Sequence, residues 1–201
     1  MSRNLIEETE LEGETLNDPL LEDLALEQKV FIDCTFVNAN WMEATLRQCL
    51  FENCVFRGCD MTMMSPYDTS FREVRFEQCK LMGIDWTKAH QLTFQVDFHE
   101  CALSHCSFDG MPLRELSMTD CKAIEVVFTE ADLTGADLAG TDFSGSVFLH
   151  TILEQVDLSS ASHYTIDPTT NKLRDTKLSL EGALRSLALL GARVPSVEPS
   201  G

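Results

Sequence analysis

With few exceptions, every fifth residue of this chain is large and apolar. From Leu26 the series runs Leu26, Phe31, Phe36, Trp41, Leu46, Phe51, Phe56, Met61, Pro66, Phe71, Phe76, Leu81 and Trp86. After a shift of two residues it resumes as Phe98, Leu103, Phe108, Leu113, Met118, Ala123, Phe128, Leu133, Leu138, Phe143, Phe148, Leu153 and Leu158. Eleven of the twelve phenylalanines fall on this comb; Phe94, inside the shift, does not. Two places before each centre the residue is mostly small. All eight cysteines sit at that one position (Cys34, Cys49, Cys54, Cys59, Cys79, Cys101, Cys106 and Cys121), where a random placement would scatter them.

A period of five matches neither the 3.6-residue helix nor the 2-residue strand. It requires a backbone that turns a corner every five residues, with the centre and the residue two places earlier pointing inward. Four such sides close a square coil of roughly twenty residues, stacked on its neighbours at ~4.8 Å by strand-type hydrogen bonds. That spacing puts Phe31, Phe51 and Phe71 on one side, Phe36, Phe56 and Phe76 on the next, and Phe108, Phe128 and Phe148 on another. Ala123 falls between Leu103 and Phe143, a small residue between large ones, as close packing requires. The inward cysteines are then free thiols acting as small core residues, rather than disulfides or nucleophiles.

The run Ala131-Asp132-Leu133-Thr134-Gly135-Ala136-Asp137-Leu138-Ala139-Gly140 matches A(D/N)LXX, and the chain resembles the pentapeptide-repeat family on that signature. The resemblance implies an all-β solenoid, a right-handed quadrilateral β-helix, here followed by a short C-terminal α-helix. The repeats Phe31-Ile-Asp-Cys-Thr-Phe36 and Phe51-Glu-Asn-Cys-Val-Phe56 are similar to the branch that protects DNA gyrase. So is a leucine-rich helix ending Leu189-Leu190-Gly191 after Tyr164-Thr-Ile-Asp-Pro168. That branch holds the Qnr-type quinolone-resistance proteins and the albicidin- and microcin-resistance proteins. It implies DNA gyrase or topoisomerase IV as partner, and a homodimer through the C-terminal helix, with Leu180, Leu184, Leu187 and Leu190 as contacts. Members with long loops use them in protection; this chain fits the loopless members better.

The chain reads as four segments: an acidic N-terminal arm or irregular first coil at 1–25, repeats at 26–165, a capping and dimerisation segment at 166–193, and a disordered tail at 194–201. Leucines 11, 16 and 21 continue the comb, but Thr9, Glu14 and Pro19 suit a core poorly. The two-residue insertion within 87–97 is a bulge, a small loop or a kink. Ser65-Pro66-Tyr67-Asp68 is a corner variant or a second departure. Ser179 can cap a helix over 180–190 that Gly191 ends. Its apolar stripe of Leu180, Ala183, Leu184, Leu187 and Leu190 covers the open end of the solenoid, a second subunit, or both.

Charge narrows the partners. Fifteen Lys and Arg against 33 Asp and Glu leave a net charge of −18, which repels nucleic acid and anionic lipid and draws cationic surfaces. Residues 1–28 hold nine carboxylates against Arg3 alone, and residues 123–171 hold eight with no Lys or Arg. About seven coils make a rod of ~34 Å. B-DNA of that length carries about twenty charges, so the chain is of the same order. Asp132, Asp137, Asp142 and Asp157 each precede a centre in the cation-free tract and are expected to form a DNA-like acidic face. The alternative is that acid keeps a stackable solenoid soluble, and that the chain is an acidic scaffold for protein partners unrelated to DNA topology.

No segment has the makings of a signal peptide and no run approaches ~18 apolar residues, so a soluble, cytoplasmic protein that engages neither membrane nor nucleic acid directly is expected. His99-Glu100-Cys101-Ala102-Leu103-Ser104-His105-Cys106 looks like a metal site, but the register turns the cysteines inward and the histidines outward. With no phosphate loop or catalytic triad pattern, no enzyme, cofactor, metal or pocket is expected.

Overall fold

The computed structural model describes residues 8–17 and 24–192. The chain winds as a four-walled solenoid in which each wall contributes one inward centre per coil. The first wall stacks the strands Glu10–Glu12, Val30–Ile32, Leu50–Glu52 and Ser70–Arg72, all parallel and in register, with Leu11, Phe31, Phe51 and Phe71 aligned. The second wall is the longest ladder. It aligns Leu16, Phe36, Phe56, Phe76, Phe98 and Met118, passes through the bridges Ser117–Asp137 and Asp137–Asp157, and ends with Leu158 on Leu178. The third wall is a column of bridges from Asn40 to Ser162. The fourth begins with Ala25–Glu27, Thr45–Arg47 and Ser65–Tyr67, where Pro66 occupies an ordinary buried rung opposite Leu46.

Corners explain the period. Two residues after nearly every centre the backbone enters the left-handed region, as at Asp33 (φ 54), Glu43 (φ 59), Asn53 (φ 53), Glu115 (φ 60) and Asp120 (φ 53). Such a conformation costs a non-glycine residue about 1 kcal/mol or more. It is offset because each corner N–H donates to the next coil, as Asp33 N does to Glu52 O (3.0 Å) and Asn53 N to Arg72 O (2.9 Å). Stacking therefore stabilises what a single coil could not hold.

Inside, rings stack along each wall and meet edge-on across walls. Phe36 lies over Phe56 at 4.6 Å and 10°, while Phe31 meets Phe36 at 5.5 Å and 77°. Offset-stacked and edge-to-face contacts are the two favourable aromatic geometries. The cysteines are buried thiols beside them. Cys59, Cys79, Cys101 and Cys121 form one column on the third wall, in which Cys79 N donates to Cys101 Sγ and Cys101 N to Cys121 Sγ, both 3.4 Å. Burial pushes Cys54 and Cys106 up to about 12, which leaves these thiols unreactive.

Both ends carry more solenoid than the repeats at 26–165 require. Leu11 and Leu16 are buried on their rungs, so residues 8–17 are wall and not a detached arm. Residues 1–7 and 18–23, and the tail at 194–201, lie outside the described residues. At the other end Lys172 and Lys177 bridge back to Ile152 and Asp157, which carries Leu173 and Leu178 onto the core. The helix Leu180–Leu189 follows, capped by Ser179 Oγ accepting from Gly182 N (3.1 Å).

Candidate functional site

The charged surface follows from the corner geometry. An aspartate just before a centre accepts, through Oδ1, from the backbone N–H and hydroxyl two residues on. Asp132 does so with Thr134, Asp142 with Ser144 and Asp157 with Ser159; Asp137 accepts from Ala139 N at 3.1 Å. These carboxylates hold turns together, which is one reason the repeat uses Asp there.

The structure distributes the four expected site residues over three walls. Asp137 and Asp157 share the second wall as a bridged pair, whereas Asp132 lies on the first and Asp142 on the third. The single acidic face is therefore corrected to a band that wraps the rod. Nor is the tract without cations in space. Arg114 reaches Asp132 at 2.7 Å and Lys177 reaches Asp157 at 2.9 Å, each from outside the tract, while the His163 ring within it meets Asp142 at 2.9 Å. A solenoid sets each residue beside those one coil away, so a cation-free stretch of sequence borrows cations from its flanks. Arg57–Glu77, Arg72–Glu52, Lys80–Asp60 and Arg174–Glu154 repeat the same one-coil pairing.

The carboxylates left without a hydrogen-bonding or ionic partner among the described residues are mostly at corners. Asp33, Glu73, Glu115 and Asp175 share one edge of the rod; Glu43, Asp120 and Glu130 stand on the other three. All seven are at the tips of left-handed corners, which thrust them outward. Sequence reasoning chose the residue before the centre and missed the residue two after it, although acids recur there.

A local consequence of the turn caps is testable. Burial pushes the Asp132 carboxyl up, but Thr134 and Arg114 together outweigh it and hold the group below its ordinary value. A depressed folded-state pKa gives stability that is present above the unfolded value of about 3.9 and lost as pH falls through the folded value. Asp132→Ala is expected to cost about 1 kcal/mol at pH 7, the size of a lost cap, and its gap to the parent should narrow as pH falls below the unfolded value of about 3.9. Urea titrations of both proteins at pH 7, 5 and 3 measure it; a gap that widens on acidification contradicts the assignment.

The insertion does create a cleft, contrary to the expectation of none. The extra residues lie at Gln91–Thr93, a 3-10 turn, after which Gln95 N returns to Phe71 O (2.8 Å) and Val96 rejoins the second wall beside Val74. Phe94 turns inward and is buried against Phe71 (6.1 Å) and Trp86 (5.5 Å), so it serves the core as a displaced centre. One corner of the rod is thereby cut back. A cavity of about 330 Å³ opens there between Glu73, Arg75, Phe94, Gln95, Leu113 and Glu115.

The C-terminal helix packs by its small side. Gly182 and Ser186 are buried, and Gly182 sits directly on the Tyr164 ring. Tyr164 Oη accepts from Ser179 N (2.7 Å) and bonds Leu158 O (3.2 Å), which ties the cap to the last coils. Leu180, Leu184, Leu187 and Leu190 all face outward, together with Leu189. The apolar stripe does not close the solenoid's end. Among the described residues no group of His, Cys, Asp and Glu could hold a metal ion, and no helix is long and apolar enough to cross a membrane.

The chain matches the family described as Pentapeptide repeat region over residues 29–95 and that described as Pentapeptide repeats (8 copies) over 127–162, together just over half its length. No curated protein matches it. Among solved structures it is similar to QnrB1, a plasmid-mediated fluoroquinolone resistance protein, at 19% identity and TM-score 0.49, covering 92% of this chain and 97% of that one. It is also similar to HetL, a pentapeptide repeat protein involved in heterocyst differentiation regulation in the cyanobacterium Nostoc. That match has 16% identity and TM-score 0.49, with 85% and 83% covered. A third likeness, to a pentapeptide repeat protein of the Arabidopsis thaliana thylakoid lumen, has 19% identity and TM-score 0.25, with 56% and 63% covered.

Proposed function

The chain belongs to the pentapeptide-repeat family, and from that premise we propose that it is a DNA mimic that binds a type II topoisomerase, DNA gyrase or topoisomerase IV, and protects it from a poison such as a quinolone or an albicidin-like toxin. The observation that carries this reading is the second wall, unbroken over nine rungs from Leu16 to Leu178, with carboxylates at the corners around it. Eight gaps of ~4.8 Å make a rod of ~38 Å, and duplex DNA of that length carries about 22 charges. The chain's −18 is of that order. The seven unpaired corner carboxylates project furthest from the axis and meet no cation among the described residues, so they dominate the field that a cationic saddle would meet. The protein acts in the cytoplasm as a homodimer through Leu180, Leu184, Leu187 and Leu190.

The test is a supercoiling assay with purified gyrase, with and without a poison. Micromolar protein should inhibit the enzyme or relieve the poisoning; neither effect would remove the proposal. Replacing Asp33, Asp120, Glu130 and Asp175 by Gln should raise the required dose about tenfold, since surface charges act chiefly on association. Gln is already at home at these corners, as Gln28, Gln48, Gln78 and Gln155 are all left-handed. An unchanged dose refutes the electrostatic argument.

A second reading, a scaffold for a protein partner unrelated to DNA topology, draws on the fourth wall. There Val147 and Leu149 are 45% and 40% exposed with no charge between them. Inactivity towards gyrase, with a stable complex that Val147→Asp disrupts, would favour it.

A further inference from the structure

We propose that the cut-back corner at Gln95 is a socket for one lysine or arginine side chain of the protein partner. The inference rests on the reading above only for the partner's identity; the socket itself stands on the geometry. Where every other coil fills this edge with a left-handed corner, Gln95 does not adopt one, and the edge is recessed by one rung. The cavity of about 330 Å³ has a buried apolar floor of Phe94, Val96, Leu113 and Leu116. Its rim is charged. Glu73 and Glu115 are the corners on either side, two rungs or ~10 Å apart, and Asp97 stands on the adjoining wall.

Glu73, Asp97 and Glu115 have no hydrogen-bonding or ionic partner among the described residues; for Asp97 this departs from a molecule that pairs most of its wall acids. On the same rim, Arg114 is engaged by Asp132 at 2.7 Å. Arg75, in register with Asp97, makes no ion pair among the described residues. Three carboxylates against Arg75 leave the socket negative over an apolar floor. Lysine and arginine are the side chains built for that combination, an alkyl stem that covers apolar surface and a cationic head that stays at the rim. The rim distance suits one head placed between two carboxylates. Leu92, 91% exposed on the 3-10 turn beside the socket, adds an apolar contact for the flanking residues of the same partner. A free aliphatic amine shares the head-group chemistry but would leave Leu92 uncovered.

The test uses the full chain and two readouts. Backbone amide shifts are followed by NMR during titration with N-acetyl-lysine methylamide, and separately with n-butylamine, which carries the same single charge on the same stem. Binding in the low-millimolar range should move amides of 73–75, 94–97 and 113–116, and the lysine derivative should bind at least threefold more tightly than n-butylamine. Shifts spread over Glu43, Glu125 and Glu130 would overturn the socket, as would equal affinity for the two probes. Glu73→Gln with Glu115→Gln should weaken the lysine probe at least fivefold without changing the melting temperature; unchanged affinity overturns it. In the supercoiling assay the same pair should raise the required dose at least fivefold more than Glu130→Gln with Asp175→Gln, which removes equal charge elsewhere. Equal effects would overturn the socket's part in partner binding while leaving bulk mimicry in place. If the parent chain leaves gyrase unaffected, the proposed partner is wrong, and the NMR titration still decides the socket.

Discussion

Replacing Phe76 by alanine is expected to remove about 3–5 kcal/mol of stability, as full truncation of a buried phenylalanine does. Phe76 is completely buried, stacked between Phe56 at 5.1 Å and Phe98 at 5.4 Å, with Trp86 edge-on at 5.8 Å. The rungs above and below are fixed by ladder hydrogen bonds, so the walls cannot close over the hole. That places the cost at the upper part of the range. With a denaturant slope of about 2 kcal/mol per molar, the urea midpoint should fall by about 2 M. Position matters as well as volume. In a solenoid, stability is close to a sum of neighbouring interfaces, and Phe76 belongs to two of them beside the insertion. Leu16→Ala, at the first described rung of the same wall, weakens one interface and should cost about half as much. Equal losses at the two positions would contradict the nearest-neighbour picture.

The same linear logic separates what the sequence made legible from what it hid. A residue's wall and rung follow from counting by five and by twenty, so the stacks Phe31–Phe51–Phe71 and Phe36–Phe56–Phe76 and the inward cysteines could be read directly. Leu173 and Leu178 were equally readable, being twenty residues past Leu153 and Leu158, but the polar residues between them hid the continuation. Phe94 could not be placed by counting, because the insertion suspends the count where it occurs; its size and hydrophobicity were the available signal. The cleft was hidden for the same reason, since it is a missing corner rather than a motif. The acidic residues misled in another way. Local sequence shows no cation near Asp132 or Asp157, yet Arg114 and Lys177 lie about one coil away and pair with them. Charge patterning along the chain thus overstates the bareness of a solenoid's walls, and the corners carry more of the unpaired acid.

Gly182→Ala is expected to undock the C-terminal helix and abolish the proposed dimer while leaving the solenoid folded. Helix propensity alone argues the opposite, since alanine in a helix interior gains about 1 kcal/mol over glycine. The contact decides the sign. A Cβ at Gly182 would fall on the Tyr164 ring, against Cζ and the hydroxyl, well inside van der Waals contact. Tyr164 cannot retreat: it is 1% exposed, and its hydroxyl is held by Leu158 O and Ser179 N. The expected overpacking cost of about 1–3 kcal/mol falls on the helix, which attaches to the coils by little else than its small side. The leucines are already outside, so the coils lose no core when it leaves. Circular dichroism should show less helix with an unchanged strand signal, and the mass in solution should halve. Leu184→Glu with Leu187→Glu provides the complement, because it spoils the outward stripe and leaves the Tyr164 contact alone. It should halve the mass with full helicity. If both variants keep the parent's mass, the stripe is not the interface between copies; if only the leucine variant dissociates, the helix holds its place despite the added methyl and the Tyr164 contact is softer than its geometry implies.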